Sequence, residues 1–172
     1  MYSGGVAQNT VYNDCFSKQF DLIIPPHCYD GGLSLGCIKL LSEILEKEVS
    51  IDAFPFCHSD DDLGYASNQI IDKVADLLSK GKIVGWCQGR SEIGPRALGH
   101  RSILMNPAIS NAKDIINNRI KKREEWRPFA ASILKDDVER ITGRLVDLDY
   151  MLHAISVLPE YRTNLKSVIH VD

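Results

Sequence analysis

Gly85-Trp86-Cys87-Gln88-Gly89-Arg90-Ser91-Glu92-Ile93-Gly94-Pro95-Arg96-Ala97-Leu98-Gly99-His100-Arg101-Ser102-Ile103-Leu104 is the densest stretch of this chain. Residues 82–87 predict a strand, and it runs into a loop that carries three glycines, a proline and three arginines. Such a loop can turn tightly and bring backbone N–H groups and guanidinium forks to one point. Arginine suits planar, bidentate recognition of phosphate or carboxylate oxygens, and it stays charged at any working pH. The plainer alternative is a solvated loop whose arginines pair with Glu92 and neighbouring acids, since exposed ion pairs are common and contribute little.

Downstream, the apolar spacing predicts a helix over about 110–122, with Ala112, Ile115, Ile116 and Ile120 inward and Lys113, Asn117 and Lys121 along another face. Ile120-Lys121-Lys122-Arg123-Glu124-Glu125-Trp126-Arg127-Pro128-Phe129-Ala130 then places Lys121, Arg123 and Arg127 between that helix and a strand-like stretch, 130–134. Cations at a helix C-terminus complement the macrodipole by about 0.3–1 kcal/mol, which alone would account for one such cluster. Two basic clusters joined by one helix, as in a βαβ-like unit, predict that Arg90, Arg96, Arg101, Lys121 and Arg123 converge on one concave pocket. Charge supports this: residues 85–134 hold nine Lys/Arg against four Asp/Glu, a surplus of five in a chain whose net charge is −3. A basic island in an acidic chain points to a local anionic ligand rather than to a surface coated for nucleic acid.

Upstream, residues 10–18 predict a short helix, and Asp21-Leu22-Ile23-Ile24-Pro25-Pro26 a short buried strand stopped by its prolines. Residues 35–48 predict an amphipathic helix with Ile38, Leu41, Ile44 and Leu45 on one face. Gly4-Gly5 stands at the start with no strand before it, which suggests a piece of a longer chain. Periodicity fails over 49–65, where Pro55, His58, Ser59, Asp60, Asp61, Asp62 and Gly64 mark a linker. Ser67 is placed to cap a helix whose apolar face is Ile70, Ile71, Val74, Leu77 and Leu78, and Gly81 to end it in a left-handed turn. The 172 residues, 44% hydrophobic and 25% charged, suit one medium globular domain or one domain plus a fragment. Five scattered cysteines without a CxxC pair fit reduced thiols, and neither a secretory signal nor an apolar run of roughly 20 residues is present. Together these give a cytoplasmic reading without a membrane partner.

The quoted loop, with its Gly94-Pro95-Arg96-Ala97-Leu98-Gly99-His100-Arg101-Ser102-Ile103-Leu104 run, resembles the signature of O-carbamoyltransferases of the NodU/CmcH type. Ile120-Lys121, Arg123-Glu124 and Arg127-Pro128-Phe129-Ala130 are similar to a later motif of that family. Gly4-Gly5-Val6-Ala7-Gln8-Asn9 resembles its nucleotide-contacting loop, and Pro25-Pro26 followed by Asp30, Gly32 and Gly36 its metal-bearing segment. Cys87 stands where the family usually has an aromatic residue, Asn106 where it often has Asp, and Ala131 where it has Pro. His170-Val171-Asp172 lies inside what looks like a further motif.

The resemblance covers essentially the whole chain, and what it implies is concrete. Residues 66–172 would form a YrdC-like α/β domain with a twisted mixed sheet and flanking helices, and residues 1–48 would be the end of an actin-like ATPase-type domain, packed as an incomplete layer. Carbamoyl phosphate and ATP, with Mg²⁺ riding on the ATP, would give carbamoyl adenylate, pyrophosphate and phosphate. The missing N-terminal domain would then pass the carbamoyl group to a hydroxyl of a sugar or antibiotic-like acceptor. Arg90, Arg96 and Arg101 are the implied catalytic cations, with Ser102, Lys121, Arg123 and Arg127 as ligands of carbamoyl phosphate or ATP and Gly4, Gly5 and Asn9 at the nucleotide. Arg127 is the weaker candidate, because a salt bridge to Glu124 would also explain it. His100 is a candidate proton donor, with a supporting hydrogen-bonding role weighed above that. Asp30 matches a metal ligand, for iron or another divalent ion, whose companion histidines belong to the full-length enzyme. Two alternatives stand beside this reading: a basic YrdC-like RNA-binding module, which the net negative charge disfavours, and a non-catalytic fragment.

Overall fold

The computed structural model describes residues 1–51, 53–57 and 62–170; His58, Ser59, Asp60 and Asp61 of the expected linker, and Val171 and Asp172 of the last motif, lie outside them. In chain order the elements are α1 (Thr10–Ser17), α2 (Gly32–Ile44), α3 (Asn68–Ser79), β1 (Val84–Cys87), β2 (Arg101–Leu104), α4 (Ala112–Ile115) and α5 (Val138–Thr142). A π-helical turn, Ile116–Lys121, continues α4, and short 3-10 turns fill much of the rest. The architecture is mixed α/β, as expected, but the sheet among the described residues has only two strands, β1 and β2, paired antiparallel. The chain forms two compact units, one of Met1–Ala66, Trp86–Ser102 and Leu148–Ala154, the other of Ser67–Gly85, Ile103–Asp147 and Ile155–Asp172.

In the first unit the core is small: Ala7, Ile24, Cys28 and Leu152, with Tyr2, Leu22 and Tyr150 packed against it. Asn13 of α1 is fully buried within it. Its Nδ2 donates to the carbonyls of Ala7 (2.8 Å) and Leu152 (2.7 Å), so one amide ties the first turn, α1 and residues 148–154 together. Asn9 ends the Gly5–Gln8 turn and caps α1, its Oδ1 accepting from the N–H groups of Val11 and Tyr12. The expected strand at 21–24 is not one. Ile24 is buried, but among the described residues the segment's only ladder-like bond is from Tyr2 N–H to the Ile23 carbonyl (2.8 Å), and the two prolines that follow have no N–H to extend a pairing.

Helix α2 forms as expected but does not bury the face its spacing marks out. Ile38, Leu41, Ile44 and Leu45 are 43–65% exposed, whereas Ser42 is buried. Apolar periodicity identifies a stripe that seeks cover; it does not supply the cover.

In the second unit α3 ends as the sequence predicts. Gly81 has φ 74°, its N–H reaches the Leu78 carbonyl, and Lys82 N–H reaches that of Leu77, the paired bonds of a Schellman cap. At the other end Ser67 takes the extended cap conformation, yet its side chain makes no capping bond. Ile70 and Ile71 are exposed rather than inward, while Val74, Leu77 and Leu78 are half-buried. Further on, Ala112 and Ile116 are buried and Ile115 half-buried, but Ile120, expected inward, is 47% exposed. The π-turn accounts for this. It winds more residues per turn than the 3.6 the spacing assumed, so residues after Ile116 rotate off the expected face. No strand forms at 130–134.

Candidate functional site

The loop between β1 and β2 is built around Glu92, a residue only 1% exposed. One carboxylate oxygen, Oε1, accepts from three backbone N–H groups: Leu98 (2.7 Å), His100 (2.8 Å) and Arg101 (3.1 Å). The other, Oε2, accepts from Arg101 Nε (3.1 Å), and Arg101 also donates through a terminal nitrogen to the Glu92 carbonyl (2.6 Å). Burial by itself pushes the Glu92 carboxyl up, and the bonds from the Leu98 and His100 backbones and from Arg101 reverse this, holding it at about 2. The backbone N–H groups that the sequence offered to a ligand are thus turned inward onto a residue of the loop itself. Ser102 closes the turn, its Oγ accepting from Gly99 N–H (3.0 Å).

The same loop lies against other parts of the first unit. Gly94 has φ 115°, and a β-carbon there would stand 2.7 Å from the Pro26 carbonyl oxygen, so only glycine meets both the conformation and the contact. Ile93 N–H donates to the Pro55 carbonyl (2.8 Å), and Arg90 donates to that of Cys57 (3.1 Å). Residues 53–57, inside the stretch read as a linker, therefore form part of this surface. His100 stacks on Phe56 with ring centroids 4.0 Å apart, and its Nδ1 lies 2.7 Å from the Arg90 carbonyl.

The three arginines of the loop differ in how they are held. Arg101 is engaged by Glu92 on two of its nitrogens. Arg90 is anchored through Cys57. Arg96 is half-buried; a terminal nitrogen donates a long hydrogen bond to the Gln8 carbonyl (3.3 Å), and its Nε is buried with no acceptor among the described residues. It also lies near enough to the buried Cys28 for its charge to oppose the upward push that burial gives that thiol.

Lys121, Arg123 and Arg127 belong to the second unit. Asn117, fully buried in the π-turn, ties Arg123 and Arg127 together. Its Oδ1 accepts from Arg123 Nε (2.7 Å), and its Nδ2 donates to the carbonyls of Arg127 (3.0 Å) and Glu125 (3.3 Å). Arg123 further lies over the ring of Phe129, 4.7 Å from its centroid. Burial first, then the nearby Arg127, lowers the Arg123 guanidinium, and Glu124 offsets part of this. Arg127 makes the i, i+3 pair with Glu124 (3.7 Å) that the sequence allowed. Lys121 is exposed. A recess of about 350 Å³ in this unit is lined by Leu78, Met105, Ile116, Phe129, Val168 and the half-buried Lys113, among others.

Of the remaining candidates, Gly4, at φ 96°, precedes the turn that Gly5 opens and Asn9 closes. Asp30 is exposed just before α2. Among the described residues no three His, Cys, Asp or Glu side chains gather, and Asp30 alone is too few ligands to hold a divalent ion. No helix of the described residues is long and apolar enough to cross a membrane.

Sequence reasoning missed Asn117, Phe56 and the organising role of Glu92. Glu92 stood in view as an acid among arginines, six to nine residues before the N–H groups it collects. Asn117 had no signal, because regular helical winding placed it on an outer face with Lys113 and Lys121.

Residues 75–172 match the family described as Carbamoyltransferase C-terminus. The nodulation protein NolO of Bradyrhizobium diazoefficiens is 34% identical over 194 residues, covering 99% of this chain and 35% of that protein. NolNO of Sinorhizobium fredii is 31% identical over 194 residues, covering 99% and 28%. The 3'-hydroxymethylcephem-O-carbamoyltransferase of Amycolatopsis lactamdurans is 38% identical over 101 residues, covering 59% and 19%. The chain thus spans at most about a third of the length of these relatives. On the family match over more than half its residues, the chain belongs to the carbamoyltransferase C-terminus family.

Proposed function

We propose that this chain carries the donor-activating part of an O-carbamoyltransferase, binding carbamoyl phosphate and ATP with its Mg²⁺ and forming carbamoyl adenylate for transfer to a hydroxylated acceptor. The observation that carries this reading is Arg96. A half-buried guanidinium with a buried Nε–H that finds no acceptor among the described residues is costly unless an anion completes it, and the neighbouring Arg101 shows how differently the loop treats an arginine it satisfies internally. Family membership and the name of the cephem relative support carbamoyl transfer to a hydroxyl, and carbamoyl phosphate is the anion this proposal assigns to Arg96.

In this reading Arg96 and Arg90 hold the phosphate of carbamoyl phosphate, and Arg123, Arg127 and Lys121 meet phosphates of ATP. The recess beside Phe129 has the size and apolar lining for a nucleobase. Water releases phosphate from carbamoyl phosphate; the carbamate oxygen bonds to the α-phosphorus of ATP while the bond to pyrophosphate breaks. The acceptor hydroxyl later displaces AMP from the carbamoyl carbon and gives up its proton. No covalent enzyme intermediate is needed, so catalysis consists of positioning and charge neutralisation. A YrdC-like fold for residues 66–172, an actin-like origin for residues 1–48 and a cytoplasmic location accompany this proposal.

The test is calorimetric titration of wild type, Arg96→Ala and Arg96→Lys with carbamoyl phosphate and with a non-hydrolysable ATP analogue, paired with thermal melts. A charge-assisted bond is worth about 1.5–3 kcal/mol, so Arg96→Ala should bind carbamoyl phosphate at least ~10-fold more weakly, with Lys recovering part of the loss. Unchanged affinity with a lowered Tm would make Arg96 a structural residue and overturn the proposal.

A further inference from the structure

His100 is the one titratable ring in the Glu92 loop, and its surroundings decide what it can do. Nδ1 lies 2.7 Å from the Arg90 carbonyl oxygen, which can only accept, so Nδ1 carries the proton of that bond. One face of the ring is stacked on Phe56, with the planes 21° apart, and Tyr65 meets it edge-on at 5.9 Å. Gly89 is pressed close enough that a β-carbon there would come within 3.0 Å of the ring. The backbone N–H of His100 is one of the three held by Glu92.

These contacts converge on Arg90 from two directions. Its carbonyl is fixed by the His100 ring. Its guanidinium donates to the carbonyl of Cys57, the residue next to the Phe56 on which that same ring stacks. Immediately before it, Gly89 is pinned through its N–H to the Gly64 carbonyl (2.7 Å) and through its carbonyl to Leu63 N–H (3.3 Å). A long side chain whose backbone and tip are both held loses little freedom on meeting a ligand.

We propose that His100 is a positioning residue for Arg90 rather than a proton donor: its Nδ1–H fixes the Arg90 carbonyl, and its stacking on Phe56 fixes the segment that receives the Arg90 guanidinium. The proposal rests on the reading of Arg90 as an anion ligand, and it makes a chemical prediction that general-acid catalysis does not. Asparagine can set an amide N–H where Nδ1–H stands, whereas phenylalanine keeps the stack and loses the donor. His100→Asn should therefore work where His100→Phe does not.

The experiment uses the full chain in two arms. In the first, the Arg90 guanidinium resonances are followed by NMR without ligand: resolved signals are expected in wild type and His100→Asn, and collapse towards the free-arginine position in His100→Phe. Resonances unmoved in His100→Phe would overturn the proposal. In the second arm, carbamoyl phosphate is titrated into wild type, Arg90→Ala, Arg96→Ala, His100→Asn and His100→Phe, and into His100→Phe combined with each arginine variant. A loss of about fivefold or more is expected for His100→Phe, largely restored in His100→Asn, with no further loss when Arg90 is already absent but a full further loss when Arg96 is absent. Additive loss on Arg90→Ala, or His100→Asn as weak as His100→Phe, sinks the positioning role. Absence of binding by wild type sinks the donor-activating reading, while the NMR arm still decides the fate of His100.

Discussion

Glu92→Gln is the sharpest perturbation of this fold, because the substitution is nearly isosteric and removes only charge and one acceptor. Gln can keep a carbonyl oxygen where Oε1 collects the N–H groups of Leu98, His100 and Arg101. It must then set an NH2 against Arg101 Nε, donor facing donor. The magnitude follows from linkage. A carboxyl held at about 2 in the folded protein, against an ordinary 4.5, corresponds to about 3 kcal/mol of stability at neutral pH. Since the folded value is the lower one, this contribution is complete above pH ~4.5 and is lost as the pH falls through ~2. For a chain of this size about 3 kcal/mol is a fall in Tm of roughly 6–12 °C at pH 7. The assay is a pair of melts, wild type and Glu92→Gln, at pH 7 and at successive steps down to pH 2.5. The gap should be wide at pH 7 and narrow steadily below pH 4.5. Equal Tm values at pH 7, or a gap indifferent to acid, would show that Glu92 is not the charge on which the loop is built.

Two further outcomes follow from the same geometry. Asn117→Ala strands the carbonyls of Arg127 and Glu125 and frees Arg123 Nε, so urea unfolding should show a loss of about 1–3 kcal/mol, together with weaker binding of the ATP analogue; a silent variant would mean that the second basic loop holds itself. Gly94→Ala meets the Pro26 carbonyl at 2.7 Å from a left-handed conformation, so expression with a markedly lowered Tm is expected, and a wild-type Tm would show that residues 25–28 yield easily.

Much of the local structure was legible in the sequence, and the failures share a cause. Helices α1, α2 and α3, the left-handed end at Gly81 and strand β1 all follow from rules that act within a few residues: periodicity, capping and the φ of glycine. What those rules do not contain is whether an apolar face is covered. Ile38, Leu41, Ile44 and Leu45 keep their stripe on α2 and still face outward, and Ile70 and Ile71 do the same on α3. Extended segments misled for a related reason. A strand exists only where a partner supplies a ladder, and residues 21–24 and 130–134 have strand-like composition without one.

For the candidate site, the motifs singled out the loop between β1 and β2, and the structure shows how differently its charged residues are held. Residues chosen for charge were read as one class, yet the loop uses them in opposite ways. Arg101 completes an internal ion pair with a carboxylate that also holds three backbone amides, so its charge is spent on shape. Arg96, five residues earlier, is left with a buried donor and no acceptor. The two facts depend on each other. A loop that spent its amides and its arginines on the ligand would have nothing to hold it when empty, and a loop that spent them all internally would have nothing to bind with. The buried Glu92 divides the two roles: it holds Arg101 and three backbone amides within the loop, and under the proposed function the Arg96 guanidinium is the one that meets the anion. Asn117 has the corresponding place beneath Arg123, with a neutral amide where Glu92 has a charge. The loop on Glu92 should therefore loosen in acid as its carboxylate takes up protons, while the loop on Asn117, with no titrating group at its centre, should not.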